Sequence, residues 1–471
     1  MSRHFTNAVT VGFEPTVRDY RTQHFECCTF GRSDTSPGPP TLRHGAASAQ
    51  TGARKGQTGG VSHLPTADAL TPELLRAWAW HRQGLDAAGE ARLAGAAPAA
   101  VLEATGWARS VGGASPYLSL FARAGLRRAD VDAAVGRLDV HELPSVRGCT
   151  YIVPAPDHAF ALALGTGGAE AALRVLDKLG VARAEIEALQ GRVVETLAAH
   201  GPLTPAELRE RLGDAVRSLG EVGKKKGAST TLPAALGALQ STGALRRVPL
   251  DGRLDRQRYA YAVWGLPRDG STPAELDAAI LERHLRWSGG ATREQTRWFT
   301  GLTVARTRAA LRVLGAVEGP AATGETLWML PHDAAQLAAF RPEPEGRVRL
   351  LAGLDSLFLL RRNPADFVDA VDVERGVTSG ANLLAADLED HPIVRDGRIV
   401  GLWQFDPSAG DGGEIVAWVF APGGADERAA TAAEIERTQA WIREDLGDFR
   451  SFSLDSPASR ITRIVALRAR A

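Results

Sequence analysis

The densest group of cationic side chains in this sequence is Lys224, Lys225 and Lys226, three of its five lysines. They lie in a predicted polar linker, directly before a helix expected to begin near Ser229 and Thr230. Ammonium groups beside a helix N-terminus, whose first backbone N–H groups lack helical partners, suit phosphate oxygens. The pattern therefore predicts a phosphate-binding site, with a solvated charged loop as the alternative.

Arginines in the next segment add to this charge. Two short alternating runs, ALRRVPL and RYAYAVW, predict a β-hairpin. Its arginines include Arg246, Arg247, Arg253 and Arg256. Together with the lysines they predict one cationic surface on one structural unit.

Three more arginines, Arg306, Arg308 and Arg312, lie on a later predicted helix. Arg306 and Arg308 cannot share one face, because neighbours on a helix face are three or four residues apart. We expect one of them to contact nucleic acid while the other faces solvent. A structural ion pair is an equally open interpretation.

Helix start and stop signals indicate how these cations are positioned. Thr204-Pro205-Ala206-Glu207 predicts a capped helix start, and Gly243 is well placed as the stop of a further helix. The order helix, short helix, longer helix, hairpin recurs at intervals of about 90 residues. This order is typical of a winged-helix array.

The predicted fold class is α+β, with three tandem winged-helix units followed by a small β-barrel domain and a C-terminal helix. The barrel is inferred from strand-like runs and from Asp396-Gly397, a dipeptide typical of tight hairpin turns. The predicted segments are a disordered extension over 1–66, winged-helix units over 67–180, 181–268 and 269–340, the barrel over 341–425, and a helix and tail over 426–471.

Composition restricts the classes of function. The chain has 55 basic and 55 acidic residues, and this zero net charge counts against a dedicated nucleic-acid binder. Three cysteines and the lack of a long apolar stretch predict a cytoplasmic protein without a membrane span. Neither a nucleotide-binding glycine motif nor paired histidine spacing occurs, so we expect no cofactor and no metal.

Several segments resemble one known family. In chain order they are VRGCTYIVPAPDHAFAL, HGPLTPAELRERLG, GKKKGASTTLPAAL, GGATREQTRWFTGLTVARTRAAL and VRLLAGLDSLFLLRRN. They resemble the winged-helix DNA glycosylases of the AlkZ and YcaQ type over about residues 70 to 450. The resemblance implies a C-shaped clamp around double-stranded DNA and, in characterised members, excision of bulky alkylated or crosslinked bases without a metal or cofactor. We expect a monomer that binds duplex DNA.

The positions that carry the family's chemistry differ in this chain. Active members have a Gln-x-Gln or Gln-x-Asp motif that positions the attacking water, and its polar positions fall here on Arg109 and Val111. Valine cannot bind water, and arginine is a permanent cation that cannot act as a base. The family's Arg-Gly-Thr-x-His motif keeps Arg147 and Gly148 but has Tyr151 in place of histidine.

These departures leave alternative functions open. The first is a DNA-binding protein on the glycosylase scaffold without hydrolytic activity, with Arg147 and Arg306 among its DNA contacts. The second is a diverged glycosylase whose acid–base group lies elsewhere, for example at Asp355 or on a hairpin. The third is a winged-helix module for binding another protein, which the zero net charge would fit.

Overall fold

The computed structural model describes residues 70–471, except for 112, 322–323, 362, 375–387, 389 and 451–455. Helices and antiparallel strands both occur along this part of the chain, as an α+β fold requires. The extension predicted over 1–66 lies outside the described residues.

The first segment combines helices with a small sheet. The Thr71 hydroxyl accepts a hydrogen bond from the Leu74 amide at 3.2 Å, and Pro72 occupies the first helical position. Three strands pair antiparallel in the order β1-β3-β2. The elements are α1 (Pro72–Arg82), α2 (Ala87–Leu93), α3 (Pro98–Thr105), β1 (Ala108–Arg109), α4 (Ser115–Ala124), α5 (Arg128–Gly136), β2 (Val140–Pro144), β3 (Thr150–Pro154) and α6 (His158–Asp177).

The second segment confirms the predicted helix start and hairpin. The Glu207 carboxylate accepts from the Thr204 amide at 2.7 Å, while the Thr204 hydroxyl accepts from the Glu207 amide at 3.3 Å. The predicted linker around GKKKG is wrong in part, since a short helix forms there. Gly223 of this helix packs closely against the backbone that follows it. A Cβ at this position would lie 2.3 Å from the Ala228 carbonyl oxygen, so the site favours glycine. The elements are α7 (Arg183–His200), α8 (Pro205–Leu212), α9 (Gly220–Lys225), α10 (Leu232–Ser241), β4 (Leu245–Pro249) and β5 (Tyr259–Val263).

The third segment has a similar order of elements, with one helix fewer before its hairpin and an additional two-residue strand after its first helix. Three of its helices begin at threonines whose hydroxyls accept a backbone hydrogen bond, namely Thr272, Thr292 and Thr303. Its strands pair in the order β6-β8-β7. The elements are α11 (Pro273–Ser288), β6 (Ala291–Thr292), α12 (Arg293–Thr300), α13 (Val304–Val313), β7 (Val317–Pro320), β8 (Thr326–Met329) and α14 (Pro331–Ala339).

The C-terminal segment contains a four-stranded antiparallel sheet. Asp396 and Gly397 have φ values of 47° and 82°, which confirms the predicted tight turn between β10 and β11. The described strands are ordered β9-β10-β11-β12, so this sheet is open where a closed barrel was predicted. The elements are β9 (Val348–Leu350), α15 (Ser356–Leu359), α16 (Ala370–Glu374), β10 (His391–Arg395), β11 (Arg398–Asp406), β12 (Glu414–Val419), α17 (Ala425–Trp441) and α18 (Pro457–Arg468).

The main hydrophobic core joins segments that the sequence analysis assigned to separate units. Val140 and Ile152 of the first sheet belong to the same buried cluster as Leu350 and Trp403 of the C-terminal sheet and Trp441 of α17. None of these side chains is more than 1% exposed. The first segment and the C-terminal sheet therefore share one core and stabilise each other.

One described helix, over Ala155–Asp177, is long and apolar enough to span a membrane. This stretch departs from the prediction that the chain lacks a long apolar segment. Asp157 near its start accepts hydrogen bonds from Trp107 Nε1 at 3.0 Å and from Arg283 at 2.6 Å. The core helix of a soluble protein meets the same length and hydropathy criteria.

Candidate DNA-binding surface and glycosylase-motif site

Two of the three substituted family positions, Arg109 and Tyr151, are direct neighbours. They face each other across the β1–β3 pair, and the Arg109 guanidinium carbon lies 5.5 Å from the centre of the Tyr151 ring. Burial raises the pKa of Tyr151 to about 12, although the Arg109 charge opposes this rise. At neutral pH the pair therefore consists of a cation and a neutral phenol, and Val111 follows it half-buried. None of the three side chains can accept a proton from water.

A buried carboxylate lies on the opposite face of the same sheet. The side chain of Glu142 on β2 is 3% exposed, and its Oε1 accepts a short hydrogen bond from the Ser110 hydroxyl. Arg247 Nη1 lies 3.8 Å from the other carboxylate oxygen. Burial and the nearby Glu142 charge both raise the pKa of Tyr259. Glu142 cannot be recognised from the sequence, because its contacts with Ser110 and Arg247 join residues that are distant in the chain.

Arg147 lies in the turn between β2 and β3 and contacts the third segment. It adopts a φ of 60°, which side-chain-bearing residues rarely adopt, and Gly148 follows at 70°. Its guanidinium carbon lies 4.4 Å from the centre of the Trp298 ring on α12. The side chain therefore already holds two segments together, and its predicted DNA contact stays a prediction.

The lysine group lies on and just after α9 and is accessible. All three lysines are exposed, and Lys224 pairs with Glu221 at 2.7 Å. Ser229 is also exposed, whereas Thr230 is half-buried. Lys225, Lys226 and Ser229 therefore stay available for the predicted phosphate contacts.

The arginines of the β4–β5 hairpin are engaged to different degrees. Arg253 binds Asp255 at 2.5 Å and the Leu446 carbonyl at 3.1 Å, and its side chain is 11% exposed. The neighbouring Leu254 amide donates to the Tyr117 hydroxyl at 3.0 Å, so the hairpin tip packs against the first segment. This tip is therefore partly closed to DNA.

The other hairpin arginines keep more access to solvent. Arg256 pairs with Asp251 at 3.3 Å and stays 53% exposed. Arg246 is half-buried, and Arg247 lies near Glu142 with 29% of its side chain exposed.

Helices α10 and α13 present different surfaces although they occupy corresponding places in their segments. The polar residues of α10, Gln240 and Ser241, are buried, so this helix presents no exposed polar side chain that could contact base edges. On α13, Arg308 and Arg312 are exposed. Arg306 instead binds Asp277 through two hydrogen bonds of 2.6 and 2.7 Å, as the ion-pair interpretation anticipated.

Asp355 is unavailable as an acid–base group. It is fully buried, and both of its carboxylate oxygens accept from Arg123, at 2.7 and 2.8 Å. The Ser119 hydroxyl and the Leu357 amide donate to it as well, at 2.7 and 3.0 Å. Burial would raise the pKa of this carboxyl, but the Arg123 charge and these hydrogen bonds lower it below the usual value.

Metal ligands are not gathered in the part of the chain that the structure describes. Within it, no group of three or more His, Cys, Asp or Glu side chains is placed to hold an ion.

Comparisons with known proteins agree with the architecture. The family model for AlkZ-like DNA glycosylases matches residues 102–441. Among solved structures, the DNA glycosylase AlkZ of Streptomyces sahachiroi is similar, with a TM-score of 0.58 and 21% sequence identity over 81% of this chain and 98% of that chain. This likeness shows the fold, and a search of curated proteins gave no match. Because the family model covers well over half of its 471 residues, the chain belongs to the AlkZ-like DNA glycosylase family.

Proposed function

We propose that this protein is a monomeric, cytoplasmic protein that binds double-stranded DNA through winged-helix units on the glycosylase scaffold and does not hydrolyse glycosidic bonds at the family motif. The observation that carries the proposal is the Arg109–Tyr151 pair. Water activation needs a base that can take a proton from the water at hydrogen-bond distance, and at neutral pH neither the Arg109 cation nor the neutral Tyr151 phenol is such a base.

The element order supports the winged-helix part of this proposal. In both the second and third segments, a long helix and two or three further helices precede an antiparallel hairpin. In winged-helix proteins the last helix before the hairpin contacts the major groove, while loops and the wing contact the backbone. The family description supports DNA as the partner.

Binding to duplex DNA should depend strongly on salt. If the protein makes four or five phosphate contacts, raising the salt concentration from 50 to 200 mM should weaken binding by roughly a hundredfold or more. Each contact releases counterions from the DNA, and added salt opposes this release. Replacing Lys224, Lys225 and Lys226 by alanine should weaken binding to all sequences alike and reduce the slope of log K against log salt by about 1 per lost contact. Fluorescence anisotropy with a labelled duplex measures both effects.

The matched control is Lys178→Ala, which removes an exposed lysine at the end of α6. It should leave the affinity and the slope unchanged. Affinity that does not vary with salt would contradict the electrostatic interface. An unchanged slope in the triple-alanine variant would remove the lysine group from it.

A diverged glycosylase is the second candidate, and the position of Glu142 favours it. This carboxylate accepts a hydrogen bond from Ser110, which lies between Arg109 and Val111 in the sequence, and it could accept a proton from water if DNA binding opened this face of the sheet. The second candidate predicts base release by the wild-type protein that Glu142→Gln abolishes and Arg109→Ala leaves intact. The first candidate predicts no base release from any of the three proteins.

A further inference from the structure

Helix α13 has one buried and one exposed side. Thr307, Ala310 and Leu311 are buried, and the two apolar residues pack in a cluster with Leu281 and Leu285 of α11. The exposed side carries, at helical spacing, Ala305, Arg308, Ala309 and Arg312. It therefore presents two guanidinium groups separated by methyl side chains.

The arginines of this helix differ in their partners. Arg306 lies at the edge of the exposed side, and Asp277 neutralises it. In the described part of the chain, neither Arg308 nor Arg312 has a carboxylate within ion-pair distance. Their positive charges are therefore available to a ligand.

The preceding helix also carries exposed arginines. Arg293 and Arg297 lie one turn apart on α12 and are exposed, and Glu294 is the one acidic residue of this helix. Helices α12 and α13 are joined by a short turn around Gly301 and Thr303. The third segment thus places four exposed arginines on two consecutive helices.

Resting on the proposed DNA binding, we propose that α13 is the element that enters the major groove, and that Arg308 and Arg312 donate hydrogen bonds to O6 and N7 of guanines. Arginine presents a planar fork of donors that matches these two acceptors, which makes this contact the commonest specific one in the major groove. The alanines at 305 and 309 leave room for close approach of the backbone.

The geometry of α13 predicts the spacing between the two contacted guanines. Four residues of α-helix rise about 6 Å, close to the length of two base-pair steps of about 3.4 Å. Arg308 and Arg312 should therefore contact guanines about two steps apart. Arg293 and Arg297 on α12 would bind the phosphates beside the groove.

Modified duplexes test the contact atom by atom. Replacing guanine by 7-deazaguanine removes N7 from the major groove, whereas inosine removes only the amino group in the minor groove. We expect 7-deazaguanine at the contacted positions to weaken wild-type binding about tenfold, and inosine to leave it unchanged. A double variant, Arg308→Ala with Arg312→Ala, should bind both guanine and 7-deazaguanine duplexes with the same reduced affinity.

Arg192→Ala is the matched control, because it removes one exposed arginine from α7. This variant should keep the full 7-deazaguanine effect. Equal wild-type affinity for guanine and 7-deazaguanine duplexes would overturn the role of α13, while salt-dependent binding would still support the proposed function. A 7-deazaguanine effect that persists in the double variant would also overturn it. Absence of any duplex binding by the wild-type protein would overturn both.

Discussion

Mild acid should destabilise this protein from about pH 6.5 downwards, where most of its carboxyl groups are still ionised. Three buried histidines are held neutral: burial lowers the pKa of His141 and of His391 to about 3, and that of His284 to about 4. In the unfolded chain each would titrate near pH 6.5, so below that pH the unfolded state binds more protons. Stability should therefore fall from about pH 6.5 downwards until the folded pKa values are reached.

The expected loss is large because the three effects add. At pH 4.5 each histidine contributes roughly 2–3 kcal/mol in favour of unfolding, and the sum is comparable with the roughly 5–15 kcal/mol that stabilises a typical protein. Two of the rings have fixed hydrogen bonds: His391 Nδ1 accepts from the Gly353 amide at 3.0 Å, and His284 Nε2 donates to the Leu360 carbonyl at 2.8 Å. Protonation of His391 at Nδ1 would break the first of these.

A substitution of His141 tests the contribution of one buried histidine without removing a hydrogen bond of its ring. Neither of its ring nitrogens has a hydrogen-bond partner among the described residues, and its ring lies 4.8 Å from that of Trp264. His141→Phe keeps the aromatic contact and should move the midpoint of acid unfolding, followed by circular dichroism, to lower pH. His200→Gln, at the exposed end of α7, should not move it. An unchanged midpoint in His141→Phe would contradict the account of this histidine.

Removal of Asp355 should destabilise the fold more than any surface substitution. Asp355→Ala leaves the guanidinium of Arg123 buried without its counter-charge, since the two side chains are 0% and 2% exposed. Loss of one partner from such a buried pair costs about 3–5 kcal/mol. The free energy of unfolding in guanidinium chloride measures the loss.

An exposed ion pair provides the control for Asp355. Glu444 pairs with Arg127 at 2.7 Å, but the two side chains are 61% and 48% exposed. Glu444→Ala should therefore change the free energy of unfolding by less than about 1 kcal/mol. Similar losses in the two variants would show that Asp355 is not part of a buried ion pair in solution.

Local signals in the sequence predicted much of the fold. The Thr204–Glu207 capping box and the Asp396-Gly397 turn depend on residues at most three positions apart, and both formed as expected. The same kind of signal, Ser456 followed by Pro457, marks the start of α18. Short-range hydrogen bonds are readable from sequence because their partners are close in the chain.

Contacts between residues that are distant in the chain could not be predicted from the sequence. The hairpin tip carrying Arg253 packs on Leu446, and Glu142 meets Arg247 across more than a hundred residues. Arg306 and Arg308 lie two residues apart on one helix and cannot be told apart by sequence. In the structure Asp277 neutralises Arg306, whereas Arg308 is exposed. Which cations stay available is decided by the acidic residues that the tertiary fold brings near them.

The central claim is that this member of the AlkZ-like family binds duplex DNA without releasing bases at its motif site. A duplex carrying alkylated bases, incubated with the protein at low salt and then analysed for released base and for bound complex, tests both parts together. We predict that a protein–DNA complex forms and that the rate of base release does not exceed the rate in the same duplex without protein. Base release above that background, lost in Glu142→Gln, would contradict the claim and establish the diverged glycosylase instead.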